Sequence, residues 1–542
     1  MPYDIIFISG ERFFDHPLCG IAILKRLLEK HGYSVGVIEM PAKEDDVKSL
    51  GRPNLFFGVS SGGIDSMLKN YTPLKKLRRD DPHAEYTDII PDRTVIVYCN
   101  WLRRHFKDSV IVIGGVEASL RRFVHYDYWD NKLRKPILFD SRADILVYGN
   151  AEKQVLEIAS RLKNQEKKQE RKQEKIQEKK EEKTQEKKQK TKQEILEAIE
   201  GTCIISKSAP ADFIELPSFE EASNSAEKFC SMQMMLSNKQ NLAQKVNNRH
   251  VLQYKSPTYT SKDLDEYYEF PFTRSIPSNM QGFRFSIVTH RGCIGECNFC
   301  SLKLLQGDRI ISRSEKSILK EITSLTKHSG FRGNIDDIGG PSANMYGMDC
   351  NECSGSCIDC KKLDRSNGRL IELLKKARKI KGVKKINIRS GIRYDLVSAE
   401  YLRELCKHHI LDTLRIAPEH VDNNVLKLMN KDRGNLDEFI RLFNSVKKTG
   451  ELSFYFMTAH PGSSMKEAVK LGNAVKGLAN AGSVQVFTPT PMTVSTCMYY
   501  TGIDPKSKKK IYVPYAYSEK KQQKRAVLGG KELEEKELGG KE

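Results

Sequence analysis

The chain has 542 residues, of which 39% are hydrophobic, 8% aromatic and 30% charged, and its formal net charge is +20. This length predicts more than one domain. Residues 163–194 and 506–525 together contribute +12 of the net charge, so the basic balance is peripheral and weak evidence for a nucleic-acid groove. No leader is visible in residues 1–14, and no apolar run approaches the roughly 18 residues that a membrane span needs. We therefore expect a cytoplasmic protein without a membrane partner.

Residues 1–160 alternate apolar strands with helices. We predict strands at 4–10, 33–39, 55–59, 110–115 and 145–148, and helices at 21–30 and 94–106. This alternation is typical of an α/β domain with a doubly wound parallel sheet. The loop after the first strand, Asp15–Gly20, is placed like the cobalamin-ligating loop of cobalamin-binding domains. Its spacing is DHxxxG rather than DxHxxG, so we expect a cobalamin-domain-like fold without bound cobalamin.

Three further segments differ in composition from the domains around them. Residues 161–196 are mainly Lys, Glu, Gln and Arg without an apolar face, which indicates a charged, low-complexity insertion. We interpret residues 197–277 as a linker and packing segment. Residues 501–542 form a basic tail, which we expect to be partly disordered.

Residues 278–500 begin a second alternation, with six strand-like runs separated by helices. The runs lie at 283–289, 335–339, 385–389, 413–417, 452–458 and 484–488. Ser314 and the pair Ser464 and Glu467 supply helix N-caps between them. Six consecutive βα units favour a parallel partial (β/α)6 barrel, whose chemistry would lie on loops at the carboxyl ends of its strands.

Three cysteines follow the first of these strands in the spacing CxxxCxxC: Cys293, Cys297 and Cys300. Three thiolates on one short loop suit three corners of a [4Fe–4S] cluster. One iron would then lack a protein ligand, and an open metal position is the mark of a catalytic site. The alternative is a zinc site completed by His290 or by a cysteine of another cluster, although zinc ligands usually come as two CxxC pairs.

A second cysteine cluster has the spacing CxxCxxxCxxC and consists of Cys350, Cys353, Cys357 and Cys360. Four thiolates in eleven residues suit a structural zinc ion or an auxiliary iron–sulfur cluster. Zinc would brace the loop, whereas a cluster could pass electrons or bind substrate. Four thiols without a metal are the remaining alternative.

The CxxxCxxC loop is the motif of the radical S-adenosylmethionine (SAM) superfamily, and the chain more closely resembles its YgiQ-type proteins. The resemblance covers roughly residues 1–160 and 200–515. It rests also on a set of short strings: Ile64–Met67 with Asn70–Thr72, Gly114–Ser119, Ser278–Met280, Gly339–Tyr346, Gly391–Asp395, Ala417–His420 and Ala459–Gly462.

The resemblance implies an enzyme that binds a [4Fe–4S] cluster and SAM. Reductive cleavage of SAM would give a 5′-deoxyadenosyl radical that takes hydrogen from a substrate. It implies SAM contacts by Gly339 and Gly340 after the second strand, with Pro341 where many relatives have Glu. Ser390 would serve the ribose and Arg393 the carboxylate, as a bidentate donor. A small electron donor of flavodoxin or ferredoxin type is the implied partner.

Two other functions compete with this interpretation. The first is a metal-stabilised nucleic-acid-binding protein that uses the second cysteine cluster and the basic tail, and it predicts salt-sensitive binding without SAM turnover. The second is a tRNA-modifying enzyme similar to the methylthiotransferases, for which RNA is the substrate. The Ser61–Ser66 string SGGIDS also resembles the phosphate-binding loop of ATP pyrophosphatases.

Overall fold

The computed structural model of the chain describes residues 2–78, 90–178, 192–350, 355–410, 412–447, 450–478 and 483–529. The chain divides into two units. Residues 1–15 and 19–258 form the first unit, and residues 16–18 and 259–542 form the second. No helix in the described ranges is long and apolar enough to cross a membrane.

The first unit contains eleven strands and nine helices in its described residues. Its strands are β1 (Ile5–Ser9), β2 (Val35–Glu39), β3 (Phe56–Ser60), β4 (Val110–Gly114), β5 (His125–Asp127), β6 (Lys132–Arg134), β7 (Ile145–Val147), β8 (Thr202–Ser206), β9 (Ile214–Leu216), β10 (Leu242–Val246) and β11 (Arg249–Gln253). Its helices are α1 (Gly20–Lys30), α2 (Ser66–Asn70), α3 (Thr94–His105), α4 (Gly115–Ser119), α5 (Ile137–Ser141), α6 (Glu152–Glu178), α7 (Lys192–Leu196), α8 (Phe219–Asn224) and α9 (Ala226–Met235).

Nine of these strands form one sheet, in the order β2-β1-β3-β4-β7-β8-β11-β10-β9. The first five run parallel, as predicted from their apolar sequences. All five residues of β1 are buried, which fits a strand covered on both faces of a parallel sheet. From β7 to β8, β8 to β11 and β11 to β10 the pairing is antiparallel.

Residues 197–277, interpreted from the sequence as a linker and packing segment, supply four strands of this sheet. Two buried glutamines hold the added strands to the rest of the unit. Gln253 accepts a hydrogen bond of 2.7 Å from Nε of Arg122, and Gln244 accepts one of 2.8 Å from the amide of Val124. The charged insertion begins as a continuation of α6, which runs to Glu178.

The second unit contains the cysteine motifs. Its strands are β12 (Ile287–Val288), β13 (His290–Arg291), β14 (Ile311–Ser312), β15 (Asn334–Ile335), β16 (Ile338–Gly339), β17 (Lys385–Ile386), β18 (Thr413–Glu419), β19 (Glu451–Thr458) and β20 (Ser483–Val486). Its helices are α10 (Ser261–Tyr268), α11 (Leu302–Gln306), α12 (Glu315–Leu325), α13 (Gly368–Arg378), α14 (Ala399–His408), α15 (Asn423–Leu428), α16 (Leu436–Val446), α17 (Met465–Lys476), α18 (Val494–Thr501) and α19 (Tyr517–Leu528).

In this unit, strands that belong to successive predicted runs pair in parallel. β12 pairs with β16, β15 with β17, β18 with β19, and β19 with β20. Between the third and fourth predicted runs the ladder is reduced to a single parallel bridge, Ile392 to Ile416. Helices α12, α13 and α14 bury Ile318, Leu373 and Leu402 in the core beside these strands. The loops that follow the strands are therefore brought to one edge.

The predicted N-caps are confirmed. The Ser314 side chain accepts a hydrogen bond from the Ser317 amide at the start of α12, and Ser464 and Glu467 form a reciprocal capping box on α17.

Residues 501–542 are predicted as a basic, partly disordered tail, and the described part of this tail, residues 501–529, contains helix α19. Helix α19 packs against α17, where an added Cβ on Gly472 would lie only 2.3 Å from the carbonyl oxygen of Ala526. Lys520 is fully buried and donates a hydrogen bond of 2.7 Å to the hydroxyl of Tyr499. Gln523 accepts a hydrogen bond of 2.9 Å from the Ala459 amide. Residues 530–542 lie outside the described part.

Candidate active site

The three-cysteine loop is closed at its base by a short hairpin. Strands β13 and β14 pair antiparallel on either side of residues 292–310, and the Cys293 amide donates a hydrogen bond of 3.1 Å to the carbonyl of Gly307. Gly292 has a φ of +89°, and an added Cβ there would lie 1.7 Å from the carbonyl oxygen of Arg309. Only glycine allows this turn to close so tightly.

Two asparagines fasten the loop to the end of α15. The Asn298 amide donates to the carbonyl of Met429 over 2.9 Å, and its Nδ2 donates to the carbonyl of Leu428 over 2.8 Å. Nδ2 of Asn430 donates over 2.8 Å to the carbonyl of Glu296. These anchors were not predicted, since nothing in the spacing of the loop indicates which segment lies beneath it.

All three thiols open into one cavity of about 710 Å³. The rest of its wall comes from strands β18 and β19 and from segments that follow other strands and helices. The residues that line it include Phe299, Asp337, Pro341, Ser342, Ser390, Arg393, Arg415, Glu419, Lys431 and Tyr455. The cavity therefore brings the three cysteines together with residues at the ends of the third and fourth predicted strands.

The thiols lie in a partly buried, electropositive setting. Burial raises the pKa of Cys293, while the positive charges of Arg393 and Lys431 act to lower it. Burial raises the pKa of Cys300 to about 12. Because Arg393 and Lys431 also line the cavity, their positive charges would offset negative charge on the cysteine sulfurs.

Arg393 is committed to partners within the chain. Its Nε and Nη2 donate to the two carboxylate oxygens of Asp395 over 3.0 and 2.6 Å, and its Nη1 donates over 3.3 Å to Sγ of Cys297. The edge that would clamp a SAM carboxylate is thus already paired with Asp395. An added Cβ on Gly295 would lie 2.3 Å from Nη1, so this glycine makes room for the guanidinium.

The two predicted glycines lie at the edge of the cavity rather than in its wall. Pro341 and Ser342, which follow them, line it. An added Cβ on Gly340 would lie 2.6 Å from the His290 ring, and one on Gly339 would lie 3.3 Å from Cβ of Ala343. Both glycines therefore allow close packing, whatever ligand lies above them.

Ser390 does line the cavity. Its hydroxyl donates to Asp337, whose carboxylate also accepts from the amides of Arg389 and Ser390 over 2.8 and 3.2 Å. The hydroxyl oxygen therefore stays available as an acceptor on the cavity side.

A carboxylate at the end of β18 lines the cavity and is incompletely paired among the described residues. Glu419 is 5% exposed and has a φ of +68°, a rare backbone conformation for a residue with a side chain. Its Oε1 lies 3.7 Å from Nζ of Lys431, and its Oε2 has no partner among the described residues. Burial raises the pKa of Glu419 to about 7, although Lys431 and Arg393 act to lower it.

Arg415, on the same strand, is an exposed cation that lines the cavity. Its guanidinium has no hydrogen-bond or ion-pair partner among the described residues. Lys431 could not be predicted, because no motif or spacing distinguishes it from surface charges. The sequence places Arg415 and Glu419 at the end of the fourth strand, but it does not indicate their contacts.

The donor set fits a cluster with an open corner better than the alternative zinc cage. His290 is fully buried against Gly340, burial lowers its pKa to about 4, and it does not line the cavity with the thiols. Among the described residues, no three His, Cys, Asp or Glu side chains are gathered closely enough to hold a single metal ion. Three thiols in one cavity, with glycines that let the loop wrap closely, suit a larger cofactor.

The second cysteine cluster lies beside this loop. Cys357 is buried and Cys350 and Cys360 are partly exposed, while Cys353 lies outside the described residues. Nη1 of Arg309 lies 2.8 Å from Sγ of Cys357. Cys360 and Cys293 both pack against one apolar cluster that contains Ile294 and Cys357.

In the loop Asp15–Gly20, which resembles a cobalamin-ligating loop, the side chains of Asp15 and His16 already have partners within the chain. His16 is fully buried, and its Nδ1 accepts from the Leu18 amide over 3.1 Å. Its Nε2 lies 2.9 Å from the carbonyl oxygen of Arg284, so both ring nitrogens are engaged. Asp15 pairs with Arg26 over 2.5 Å. The residues present do not fit a histidine that ligates cobalamin.

The segment Ser61–Ser66, which resembles a phosphate-binding loop, also has a partner within the chain. The Gly63 amide donates over 2.9 Å to Oε2 of Glu11, which lies against Gly62. A carboxylate of the chain thus occupies the place where the backbone would hold a phosphate.

Family models and known relatives match the chain along most of its length. Residues 2–285 match the family model "Radical SAM N-terminal", and residues 287–474 match "Radical SAM superfamily". The chain is 42% identical to UPF0313 protein MJ1155 of Methanocaldococcus jannaschii, over 97% of this chain and 89% of that protein. It is 38% identical to UPF0313 protein FN0734 of Fusobacterium nucleatum, over 97% of this chain and 95% of that protein.

Among solved structures, the chain is similar to the radical SAM methyltransferase TsrM from Kitasatospora setae, which was solved with cobalamin and a [4Fe–4S] cluster bound. The TM-score is 0.50 at 13% identity, over 91% of this chain and 77% of that one. At this identity the similarity concerns the fold alone.

Proposed function

Because this chain belongs to the radical SAM superfamily and within it to the UPF0313 proteins, we propose that it is an enzyme that cleaves SAM reductively. Cys293, Cys297 and Cys300 would hold a [4Fe–4S] cluster, and the cavity would hold SAM. When bound, the cluster supplies the electron that converts SAM to methionine and a 5′-deoxyadenosyl radical, which then takes hydrogen from the substrate. The strand order described above supports a partial (β/α)6 barrel as the scaffold.

The observation that carries this proposal is the shared cavity. Three thiols from one loop open into a space of about 710 Å³ whose opposite walls come from three strand ends. This is large enough for a small-molecule cofactor. A structural metal site would instead be closed on all sides by its ligands.

Arg393 supports the sulfur ligands rather than SAM itself in this proposal. Its Nη1–H stabilises negative charge on Cys297, as second-shell donors do for metal-bound thiolates. Asp395 fixes the guanidinium through two hydrogen bonds. The bidentate contact to the SAM carboxylate that the sequence suggested for Arg393 passes in this proposal to Arg415, whose guanidinium faces the cavity without a partner in the described structure.

Ser390 keeps the role predicted for it, whereas Gly339 and Gly340 lie outside the cavity wall and allow close packing against Ala343 and His290. The Ser390 hydroxyl is oriented by Asp337, so its acceptor side faces the space where a ribose would lie. Phe299 forms one wall and rests edge-on against the buried His460, with the ring centroids 6.4 Å apart. Phe299 thus shields the cavity from water and offers an apolar surface to an adenine ring.

The electron would come from a small protein of flavodoxin or ferredoxin type. RNA is a candidate substrate. Of the tail's cations, Lys520 is buried and donates to Tyr499, so it is not available to a nucleic acid, whereas Lys508, Lys509 and Lys510 are exposed. We propose no step through cobalamin, because both nitrogens of His16 are engaged.

Electron paramagnetic resonance of the anaerobically reconstituted and reduced protein tests the proposal. SAM added to the wild type should change the spectrum of the reduced cluster, because SAM would bind the open iron. Arg415→Met should weaken this response at limiting SAM without removing the cluster. An unchanged spectrum at saturating SAM would reject the proposal.

A further inference from the structure

An exposed strip of lysines and tyrosines follows helix α18. Residues 503–518, which we call the Lys–Tyr strip, contain four lysines and one aspartate. The lysines are all exposed: Lys506, Lys508, Lys509 and Lys510. None of their ammonium groups forms an ion pair or a hydrogen bond with another described residue. Their positive charge is therefore available to a partner outside the chain.

The lysines lie on a hairpin of defined geometry. Its two sides pair through the antiparallel bridge of Ile503 with Lys510. At the turn, the carboxylate of Asp504 accepts hydrogen bonds from the amides of Lys506 and Ser507 over 3.1 and 3.3 Å. The one acidic side chain of the Lys–Tyr strip therefore closes the turn and forms no ion pair with the described lysines.

Three exposed tyrosines continue the strip beyond the lysines. Tyr512, Tyr515 and Tyr517 are 50%, 53% and 43% exposed, and they are three of the ten large hydrophobic side chains that are exposed in the described chain. The hydroxyl of Tyr512 donates to Glu519 over 2.6 Å, and the ring of Tyr515 packs against that of Tyr499 with centroids 5.3 Å apart. Because these rings are already held in place, stacking on a partner would cost little conformational entropy.

The Lys–Tyr strip is attached to the edge of the second unit that carries the three-cysteine loop. The amide of Gly462, in the segment after β19, donates to the carbonyl of Tyr512 over 2.7 Å. Helix α18, which leads into the strip, begins beside the cysteine loop, where the Ser495 amide donates to the carbonyl of Asn298 over 2.9 Å. A partner bound to the strip would therefore lie beside the candidate active site.

The charge of Lys506 acts at the same edge. Hydrogen bonds from Arg433 lower the pKa of Asp359, and the positive charge of Lys506 acts in the same direction. Arg433 also donates to the carbonyl of Asn430 over 3.1 Å, and Asn430 anchors the cysteine loop at Glu296. The hairpin and the anchor of the loop are thus neighbours.

We propose that the Lys–Tyr strip binds a single-stranded nucleic acid beside the candidate active site. Its lysines would neutralise phosphates, and its tyrosine rings would stack on bases, whose faces are open only where the strand is unpaired. An acidic protein would meet the same charge but has no bases to stack on the three rings. That the bound strand is the substrate rests on the proposed function, whereas its binding does not.

Fluorescence anisotropy of the full chain, without SAM, with a labelled single-stranded RNA of about 12 nucleotides tests the proposal. Replacing Lys508, Lys509 and Lys510 together by Gln should weaken binding at least about 10-fold at low salt. It should also reduce the slope of log affinity against log salt by about 2, because each phosphate contact on a single strand contributes about 0.7.

Three other exposed lysines provide the matched control. Lys379, Lys381 and Lys384 precede β17, and therefore lie at the opposite ends of the strands from the cysteine loop. Replacing these three by Gln removes the same charge and should leave the affinity within about twofold and the salt slope unchanged. An equal loss in the two triple variants would overturn the proposal, because it would show that only the net charge matters.

The tyrosines provide a second measurement. Tyr512→Leu combined with Tyr515→Leu should weaken binding at least about 5-fold without changing the salt slope, because stacking is lost while the phosphate contacts stay. Tyr512→Phe combined with Tyr515→Phe keeps both rings and should bind like the wild type. Leu and Phe variants of equal affinity would overturn the stacking on which the proposal depends.

Two further ligands distinguish the kind of partner. Single-stranded DNA of the same sequence shows whether the strand is RNA or DNA, because the tighter ligand identifies it. A flavodoxin-type protein tests the acidic-protein alternative, and loss of its binding alone in the lysine variant would overturn the proposal. Because SAM is absent from every measurement, failure of this binding is distinguishable from failure of SAM cleavage.

Discussion

Nη1 of Arg393 donates a hydrogen bond of 3.3 Å to Sγ of Cys297, and the other edge of the same guanidinium is paired with Asp395. Arg393 lies in the segment after the third predicted strand, and Cys297 lies in the loop after the first. The contact therefore connects two motifs that are separated by 96 residues. Through it, the ion pair of Arg393 and Asp395 supports the cysteine loop.

Arg393→Gln should destabilise the fold by about 3–5 kcal/mol, because it leaves the buried carboxylate of Asp395 without its cation. It should also lower iron loading of the loop. Anaerobic urea unfolding and iron content measure the two effects. The double variant with Asp395→Asn should recover much of the stability but not the loading, and recovery of both would contradict a role of Arg393 at Cys297.

Gly292→Ala should prevent the cysteine loop from closing, because the added methyl group would collide with the Arg309 carbonyl at 1.7 Å. We expect iron content after reconstitution to fall by more than half. Gly307→Ala is the matched control, since Gly307 also has a positive φ, +97°, but has nothing within 4 Å of an added Cβ. Equal loading of the two variants would show that backbone strain, and not the collision, sets the effect.

Gly472→Ala should destabilise the second unit by about 1–3 kcal/mol, as overpacking usually does. The added methyl would lie 2.3 Å from the Ala526 carbonyl, where α17 packs against α19. Gly477→Ala, at the end of the same helix with its nearest neighbour at 3.5 Å, should change stability by less than about 0.5 kcal/mol. Thermal unfolding compares them, and a neutral Gly472→Ala would mean that the tail helix is not packed there.

Glu404 should make stability depend on pH below neutrality. Burial would raise its pKa, but hydrogen bonds from His409 and Arg378 outweigh burial and lower it to about 2. A carboxylate with a depressed folded pKa stabilises the fold above its unfolded pKa of 4.5, and this contribution is lost as pH falls toward 2. Wild-type stability should therefore drop between pH 5 and 3 by roughly 1–2 kcal/mol more than that of Glu404→Gln. Parallel urea midpoints for the two proteins would contradict this.

The sequence predicted the parallel strands because their residues are continuously apolar. β1 and β4 are recognisable without any knowledge of their neighbours. β10 and β11 were missed because polar residues interrupt them, including Gln244 and Gln253. Their burial is favourable only because Val124 and Arg122, more than a hundred residues away, supply hydrogen bonds.

The sequence indicates the three cysteines of the candidate site but not the residues that support their loop. The cysteine spacing indicated a cluster loop, since three thiols so close together carry a specific chemistry. The contacts of Arg393, Arg309 and Glu419 depend on which segments the fold brings together, and this cannot be read from the spacing of the motifs. α19 was missed for a similar reason, because the burial of its Lys520 depends on the Tyr499 hydroxyl, which accepts a hydrogen bond from the ammonium group.

The most direct measurement of the central claim is the amount of 5′-deoxyadenosine formed under anaerobic conditions. The wild type, loaded with iron and sulfide and reduced with dithionite, is incubated with SAM beside the Cys297→Ala variant and a Cys406→Ala control. We predict 5′-deoxyadenosine from the wild type and the control at comparable rates and none above background from Cys297→Ala. Equal formation by all three proteins, or none from a fully loaded and reduced wild type, would contradict the assignment of this loop to SAM cleavage.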